Sequence, residues 1–255
     1  MAQPRSAVQL IVFGERNRSD FPGVLSDVRA AGFDAIEAGN LFAAHGEDAA
    51  RRLLDEHGVT VCGAHFGYGD YADRGKLAAN VAYCKALGIG NMMCSGLSNT
   101  KTVAGYIESS ELFNAVGAQL KDECIAFNYH NHAWEFEEIG GTNGMTILSA
   151  ETDPDLVRFN IDVFWVTVGG ASPVQFIEAH ACRAGYFHFK DGRKRPDGGV
   201  DFLELGTGDV DLIGSIAAAR RVGATWIVAE QDTTALGHAD SVRISRDYMR
   251  TALGV

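Results

Sequence analysis

Four short stretches in the second half of the chain begin as apolar runs and turn polar at their C-terminal ends. They cover residues 129–135, 160–162, 187–191 and 229–232, and their polar ends carry carboxylates and imidazoles. Such groups bind divalent metal ions and transfer protons in proteins. Where parallel strands close into a barrel, the carboxyl ends of all strands open at one face, and substrates bind there. The pattern therefore predicts an active site built from four successive strands, with a cage for one divalent metal ion.

The alternation of side chains along each predicted strand indicates which groups point into the barrel. Successive residues of a strand face opposite sides of the sheet. Each of the four strands carries an apolar set, which would pack against the helices, and a polar set, which would point inward. The same rule adds one inward residue from each of two earlier strands. The residues predicted to face inward near the mouth are Glu37, His65, His130, His132, Asp162, His188, Lys190 and Glu230.

Each of these residues also has a structural explanation when it is considered alone. A histidine such as His132 can be a hydrogen-bonded part of the core, and Asp162 can cap a loop. Lys190 and Asp191 can form a surface ion pair, and Glu230 can be a solvated strand end. Buried charges are costly unless they are paired. Their convergence from six strands therefore favours a metal ion, a polar substrate or both.

Strand-like and helix-like segments alternate along the whole chain, and this order would position the polar groups. Several of the helix-like segments end in glycine, as expected of turns that lead into the next strand. The pattern indicates an α/β fold, a (β/α)8 TIM barrel formed by a single domain over residues 1–255. An open doubly wound sheet is the alternative, but no glycine-rich phosphate-binding sequence follows the first strand. The predicted strands are 8–13, 35–38, 60–65, 91–94, 125–132, 157–163, 186–190 and 226–230.

Two loop segments leave alternatives open. The glycine-rich segment 206–209 can cradle an anionic group, or it can be a turn that leads into the next helix. The segment 191–197 is basic in an otherwise acidic chain. It can be a flexible loop over the mouth of the barrel or a solvated turn.

The composition narrows the class of partner. The chain has 255 residues, 46% hydrophobic and 22% charged, which is typical of a globular protein with one core. The net charge of −11 argues against binding to nucleic acid or to an anionic membrane, because both require a basic surface. We therefore expect a small-molecule substrate, which a phosphate group does not exclude because local charge decides its binding.

Cysteine usage and the first residues indicate the compartment. The five cysteines are scattered, odd in number and never spaced as C-x-x-C, as expected of free thiols in a reducing cytosol. The first ten residues show no secretory signal, and no apolar run approaches the roughly 18 residues of a membrane span. A cytoplasmic protein is expected.

Read together, five motifs resemble the xylose-isomerase-like TIM-barrel superfamily, and its sugar phosphate isomerase/epimerase branch most closely. The resemblance extends over nearly the whole chain, with weak matches before residue 60. The first two motifs are specific, whereas the glycine-rich fourth is not. The motifs are YHNHAWEF at 129–136, NIDVFW at 160–165, HFKDG at 188–192, LGTGDVD at 205–211 and VAEQD at 228–232.

The resemblance implies one Mn²⁺, Mg²⁺, Co²⁺ or Zn²⁺ held by residues from strands five to eight. Asp162, His188 and Glu230 match the last three ligand positions of the superfamily. Many relatives have a glutamate where this chain has His130, so the strand-five role is carried to Glu135, with His130 as the alternative ligand.

The activity implied is isomerisation or epimerisation of a sugar or sugar phosphate through an enediolate. His132, Glu135 and Glu230 are the candidate catalytic proton carriers. The alternatives are a lyase or dehydratase acting on an inosose, a 3-keto-sugar or a keto-glycoside, and a binding barrel without catalysis. The resemblance also allows a homo-oligomer. The candidate substrate-binding residues are Glu37, His65, His130, Trp165 and Lys190, and Trp134 can complete an apolar wall with Trp165.

Relatives of the endonuclease IV type bind three metal ions and cleave DNA at abasic sites. They have a histidine where this chain has Trp165, and an Asp-x-His pair where it has Val200 and Phe202. These departures and the acidic charge argue against a DNA-repair nuclease.

Overall fold

Eight parallel strands close into a barrel in the computed structural model, which describes residues 3–255. Each strand pairs with its neighbours in sequence order, and the first pairs with the eighth, so the predicted TIM barrel is confirmed and the open sheet is excluded. From the first to the eighth, the barrel strands are Arg5–Gln9, Ala35–Ala38, Thr60–Gly67, Asn91–Ser95, Ala126–His130, Val157–Asp162, Ala184–Phe189 and Trp226–Ala229.

The prediction for the first strand was wrong. The strand ends at Gln9, and Leu10–Phe13 forms a short 3-10 helix instead of continuing the strand. The side-chain oxygen of Gln9 accepts a hydrogen bond from the N–H of Ile11, which turns the chain at this point. The apolar residues of the segment remain buried as a helical turn, so an apolar run alone did not reveal where the strand ends.

The helices cover the outside of the barrel. Gly32, Gly58 and Gly88 end three of them in the left-handed conformation, with φ of 93°, 61° and 67°, which confirms the predicted glycine turns. No helix within residues 3–255 is long and apolar enough to cross a membrane. The α-helices are Arg16–Ser19, Phe21–Ala31, Leu41–His45, Glu47–His57, Tyr68–Ala72, Arg74–Leu87, Val103–Asp122, Gly144–Glu151, Val163–Val168, Pro173–Ala179, Leu212–Arg221 and His238–Tyr248, and the last is followed by a π-helical turn, Met249–Leu253.

The apolar residues form two layers, one outside and one inside the strands. The large core lies between the strands and the helices and contains the outward strand faces, such as Phe159, Phe187 and Ile227. A smaller cluster fills the interior of the barrel beneath the polar residues, which gives the site a dry floor. Its members are Ala7, Ala35, Cys62, Met93, Tyr186 and Val228.

Two antiparallel hairpins extend from the loops. One pairs Glu138–Ile139 with Thr142–Asn143, and the other pairs Asp191–Lys194 with Val200–Leu203. The second hairpin follows the seventh strand and contains the basic segment. The sequence left open a flexible loop over the mouth or a solvated turn. The structure instead pairs the first half of the segment with a second strand in an antiparallel ladder.

The carboxylate of Asp191 ties this hairpin to the glycine-rich segment. Asp191 is 1% exposed, and its oxygens accept four backbone N–H bonds of 2.9–3.2 Å. A Cβ atom on Gly208 would lie 2.2 Å from Asp191 Oδ1, so the close approach requires glycine there. The anion cradled by segment 206–209 is therefore a side chain of the protein, and Asp191 forms no surface ion pair with Lys190. The four donors are Gly192, Gly206, Gly208 and Val210.

Candidate active site

Four buried side chains from consecutive strands meet at the carboxyl end of the barrel. They are His130, Asp162 and His188, each near the end of the fifth, sixth or seventh strand, and Glu230, which directly follows the eighth. One nitrogen or carboxylate oxygen from each lies within 4.8 Å of all the others. The parallel register explains the meeting, because Asp162 pairs with His188, which in turn lies beside Val228.

Three atoms of this cluster are buried and lack a good hydrogen-bond partner. Asp162 Oδ1 accepts the N–H of Trp165 at 2.9 Å and begins the helix Val163–Val168, whereas Oδ2 has no hydrogen-bond partner. His188 Nδ1 and Glu230 Oε2 are in close contact, but neither makes a hydrogen bond of good geometry. Buried polar atoms are almost always paired in folded proteins. Three exceptions at one point indicate a missing partner that binds both nitrogen and oxygen donors.

Lys190 brings the only ammonium group into contact with this cluster among the described residues. It is 1% exposed, and its Nζ lies 3.3 Å from Glu230 Oε1 and 3.6 Å from Asp162 Oδ2. Asp232 Oδ2 lies 3.2 Å away on the other side. Burial lowers the pKa of Lys190, but the three carboxylates outweigh it and raise the pKa above its ordinary value. The lysine therefore remains charged.

Burial and the charges of neighbouring side chains determine which residues of the cluster are protonated. Burial lowers the pKa of His188, but Glu37 and Glu230 reverse the shift and raise it to about 10. Burial raises the pKa of Asp162 to about 7, although Lys190 opposes the shift. Burial lowers the pKa of His130 well below its ordinary value, so His130 is neutral at physiological pH.

Glu37 lies in the same region, and both of its oxygens contact neighbouring side chains. It is fully buried, and its Oε1 is 3.0 Å from His65 Nδ1. Its Oε2 lies 2.7 Å from the hydroxyl of Tyr186 and 2.8 Å from His188 Nε2. Burial raises the pKa of Glu37, but His188 and the hydrogen bonds lower it overall, to about 2. The carboxylate is therefore ionised and already used by three donors.

Glu135 is not brought into the cluster. It lies in a 3-10 turn after the fifth strand, fully buried. Its Oε1 accepts the hydroxyl of Tyr129 at 2.5 Å, and its Oε2 accepts the N–H of His132 at 2.8 Å. Burial raises the pKa of Glu135 to about 7. Both oxygens are thus occupied by the polypeptide, and His130 is the strand-five residue that the cluster contains.

Aromatic rings surround His132 at one side of the mouth. Its ring stacks on Trp134 at 4.0 Å and 13°, and Trp165 lies 5.5 Å away. Phe202, from the basic hairpin, packs edge-on against Trp165 at 5.8 Å. His132 Nδ1 and both indole N–H groups are buried without hydrogen-bond partners. The wall therefore offers apolar faces and unpaired polar atoms together, as small-molecule binding sites do.

Other polar residues support the cluster, and sequence reasoning gave them no role. Asn131 bonds to both the N–H and the C=O of Asp162, at 3.0 and 3.3 Å, which holds the fifth and sixth strands together. The amide of Asn160 lies 3.1 Å from His188 Nε2 and 3.4 Å from His130 Nδ1. The alternation rule places Asn160 on the inward face with Asp162, so that signal was available.

The donor set fits a divalent metal ion. Two imidazoles and two carboxylates are a common set for Mn²⁺, Co²⁺ or Zn²⁺. The unpaired Asp162 Oδ2, His188 Nδ1 and Glu230 Oε2 are the atoms that such an ion would bind. Glu37 and Asn160 lie behind the histidines, where groups that orient metal-bound imidazoles are usually found.

Comparisons with known proteins agree with this architecture. The structure is similar to a sugar phosphate isomerase/epimerase from Parabacteroides distasonis, with a TM-score of 0.83 and 21% identity, covering 99% of this chain and 95% of that one. A xylose isomerase-like TIM barrel protein from Mycobacterium smegmatis in complex with magnesium gives a TM-score of 0.74 at 16% identity, covering 98% and 96%. The probable 3-DHS dehydratase of Bacillus anthracis gives 0.75 at 12%, covering 97% and 99%. At these identities the likeness shows a shared fold.

Sequence comparison identifies the family. No curated protein matches the chain. The family model described as xylose isomerase-like TIM barrel matches residues 25–252, which is most of the chain. The chain therefore belongs to the xylose isomerase-like TIM barrel family.

Proposed function

We propose that the protein is a divalent-metal-dependent isomerase or epimerase of a sugar or sugar phosphate, acting through an enediolate. The observation that carries the proposal is the convergence of Asp162 Oδ2, His188 Nδ1 and Glu230 Oε2, all buried and without good partners. A divalent ion held there would act as a Lewis acid and stabilise negative charge on the substrate oxygens. Membership of the family supports a small-molecule carbohydrate as substrate.

The proposed ligands are His130, Asp162, His188 and Glu230. Glu135 is left out, because Tyr129 and His132 already use its two oxygens. We assign to Glu135 the role of holding the backbone at His132, and through it the side chain, in place.

The proposed proton carrier is His132. Burial, followed by the charge of Lys190, lowers the pKa of His132 to about 3, so its ring is neutral. A neutral imidazole keeps a lone pair that can accept a proton, and His132 Nδ1 is buried without a hydrogen-bond partner. Glu230 is the alternative carrier, since one of its oxygens faces Lys190 and not the other ligands.

The proposed substrate contacts are His65, Trp165 and Lys190, which lie beside the ligand cluster and the aromatic wall. Trp165 presents a half-buried ring with an unpaired indole N–H, and His65 is 12% exposed on its side chain. The ammonium of Lys190 lies 5.2 Å from the Trp165 ring centre, where it can donate to a substrate oxygen. Glu37, which the sequence suggested as a substrate contact, is given a different role below.

Exchange of substrate protons with solvent tests the proposed chemistry. The purified protein is loaded with Mn²⁺ and screened against keto-sugars, phosphorylated and free, in deuterium oxide, with NMR of the products. We expect deuterium at the α-carbon and a product of unchanged composition. Loss of water would identify a dehydratase, and the absence of exchange with every substrate while metal is bound would favour a binding barrel.

Three variants separate the roles assigned to individual residues. His132→Ala should keep the metal and reduce α-proton exchange by about 10²–10⁴-fold. Unchanged exchange would remove His132 as the base. Glu135→Gln should retain bound metal and His130→Ala should lose it. The opposite result would make Glu135 the strand-five ligand.

A further inference from the structure

We infer that Glu37 is a positioning residue that fixes the ring of His188, so that Nδ1 is the nitrogen presented to the metal, and that couples this ligand to His65 at the mouth. The inference rests on the proposed function, because it concerns the same metal site. It replaces the sequence-based role of Glu37 as a substrate contact.

The hydrogen bonds of Glu37 leave neither of its oxygens free for a substrate. The residue is 0% exposed, and Tyr186, which donates to it, is 1% exposed. Both carboxylate oxygens already accept hydrogen bonds, two of them at Oε2. A buried carboxylate is tolerated only when it is paired in this way. Its effect on a reaction must therefore pass through its partners.

The contact with His188 decides which ring nitrogen carries hydrogen. Glu37 Oε2 already accepts the hydroxyl of Tyr186, and the 2.8 Å contact is a hydrogen bond when His188 Nε2 carries hydrogen and donates to the same oxygen. A neutral ring with hydrogen on Nε2 has its lone pair on Nδ1, the atom that faces Glu230. Carboxylates behind metal-bound histidines fix the ring in this way, and removing them typically weakens metal binding 10–100-fold.

Residues in the interior of the barrel, beneath the ligand cluster, hold the carboxylate of Glu37 in position. The hydroxyl of Tyr186 donates to Glu37 Oε2 at 2.7 Å, and it also contacts Cys62 Sγ at 3.3 Å. A Cβ atom on Gly63 would lie 2.5 Å from this hydroxyl, so only glycine leaves room for it. The position of Glu37 is thus set from below by residues that do not touch the ligand cluster.

The second oxygen of Glu37, Oε1, contacts a histidine at the mouth of the barrel. Oε1 contacts Nδ1 of His65, whose side chain is 12% exposed, whereas the side chain of His188 is fully buried. The two imidazoles lie 5.7 Å apart. One carboxylate therefore orients a ligand ring and a ring at the mouth together.

Metal affinity in matched variants tests the inference. Glu37→Gln has nearly the same shape but lacks the charge and offers one acceptor oxygen, and Asp191→Asn makes the matching carboxyl-to-amide change at a buried residue outside the ligand cluster. Calorimetric titration of metal-free protein with Zn²⁺, at a temperature where both variants are folded, should show binding at least tenfold weaker in Glu37→Gln and within threefold of wild type in Asp191→Asn. Glu37→Gln within twofold of wild type, with or without a lower melting temperature, would overturn the inference.

A measurement on the wild-type protein serves where Glu37→Gln does not fold. A long-range ¹H–¹⁵N NMR spectrum of the Zn²⁺-loaded protein should show His188 with hydrogen on Nε2 and metal on Nδ1. Metal on Nε2 would overturn the inference and leave the proposed function intact. Failure of the wild type to bind Zn²⁺ would remove the proposed function and this inference with it.

Discussion

Two buried aspartates, Asp162 and Asp191, lie at or just after the ends of the neighbouring sixth and seventh barrel strands but are paired in opposite ways. Asp191 uses both oxygens to accept four backbone N–H groups. Asp162 uses one oxygen to cap a helix and leaves the other buried without a hydrogen bond, 3.6 Å from the ammonium of Lys190. Both are at most 1% exposed, so burial alone does not distinguish them.

This difference indicates that Asp191 stabilises the fold, whereas Asp162 has an oxygen available to bind a ligand. A carboxylate with every lone-pair direction filled stabilises the loops that supply the donors. A carboxylate with an unfilled oxygen lowers the stability of the fold unless a cation completes it. We therefore expect the same Asp→Asn substitution to have opposite consequences at the two sites.

The largest effect is expected from Asp162→Asn on turnover. An amide binds divalent ions weakly, so the variant should lose the Lewis acid and turnover should fall by about 10⁴-fold or more. The metal-free variant should be as stable as metal-free wild type within about 1 kcal/mol, because a buried charge is removed. Product formation and urea unfolding measure the two quantities. A variant that turns over substrate at more than a tenth of the wild-type rate would refute the assignment.

Asp191→Asn should instead act on stability. Its NH₂ group would face two of the four backbone donors, and each unsatisfied buried group costs about 1–3 kcal/mol. We expect a loss of about 4 kcal/mol and a melting temperature lower by roughly 10 °C. At a temperature where the variant is folded, its affinity for Mn²⁺ should stay within threefold of wild type. Calorimetry measures both the melting temperature and the affinity for Mn²⁺. An unchanged melting temperature would show that Asp191 does not stabilise the fold in the way that distinguishes it from Asp162.

A third buried carboxyl group, that of Glu135, makes the stability of the folded protein depend on pH. Its pKa is raised from 4.5 to about 7 in the folded protein, so between these values the folded chain holds a proton that the unfolded chain releases. Stability must then fall as pH rises from 4.5 to above 7, by about 3 kcal/mol. Glu135→Gln does not titrate, so its stability relative to wild type should increase by this amount between pH 5 and pH 8. Urea unfolding at both values measures it, and parallel profiles would contradict it.

The pH dependence of metal affinity tests the ligands themselves. The pKa of His188 is raised to about 10, so a metal ion that binds near pH 8 must displace one proton, and affinity should rise about tenfold per pH unit. Below pH 7 Asp162 is also protonated, and the slope should approach a hundredfold per unit. His130 adds nothing, because its pKa lies well below its ordinary value. Titration with Mn²⁺ from pH 5.5 to 8.5 gives the slope, and a pH-independent affinity would count against these ligands.

Most of the barrel was predictable because its signals are local. Period-two alternation and glycine stops act within a few residues, so seven strands and the helix ends at Gly32, Gly58 and Gly88 were found close to their actual positions. The first strand was misplaced, because a buried 3-10 turn continues its apolar run. The helix Gly144–Glu151 and the two hairpins were missed, since none shows a strong period of its own.

The site was predictable where the strand period fixes a side chain, and less so where distant backbone groups do. Alternation placed His130, Asp162, His188 and Glu230 on inward faces, and the structure brings them together. The partners of Asp191 lie up to 19 residues along the chain, and those of Glu37 up to 151. No local pattern records such pairings. The hydrogen bonds that occupy the oxygens of Glu135 likewise cannot be predicted until the conformation of the turn that contains Glu135 is known.

The most direct test of the central claim is the metal content of the purified protein. After loading with Mn²⁺ or Zn²⁺ and removal of free metal, elemental analysis should give one ion per wild-type chain and none per Asp162→Asn chain, with Asp191→Asn retaining one ion. A wild type that binds no metal, or an Asp162→Asn variant that keeps a full equivalent, would show that these side chains do not hold an ion together.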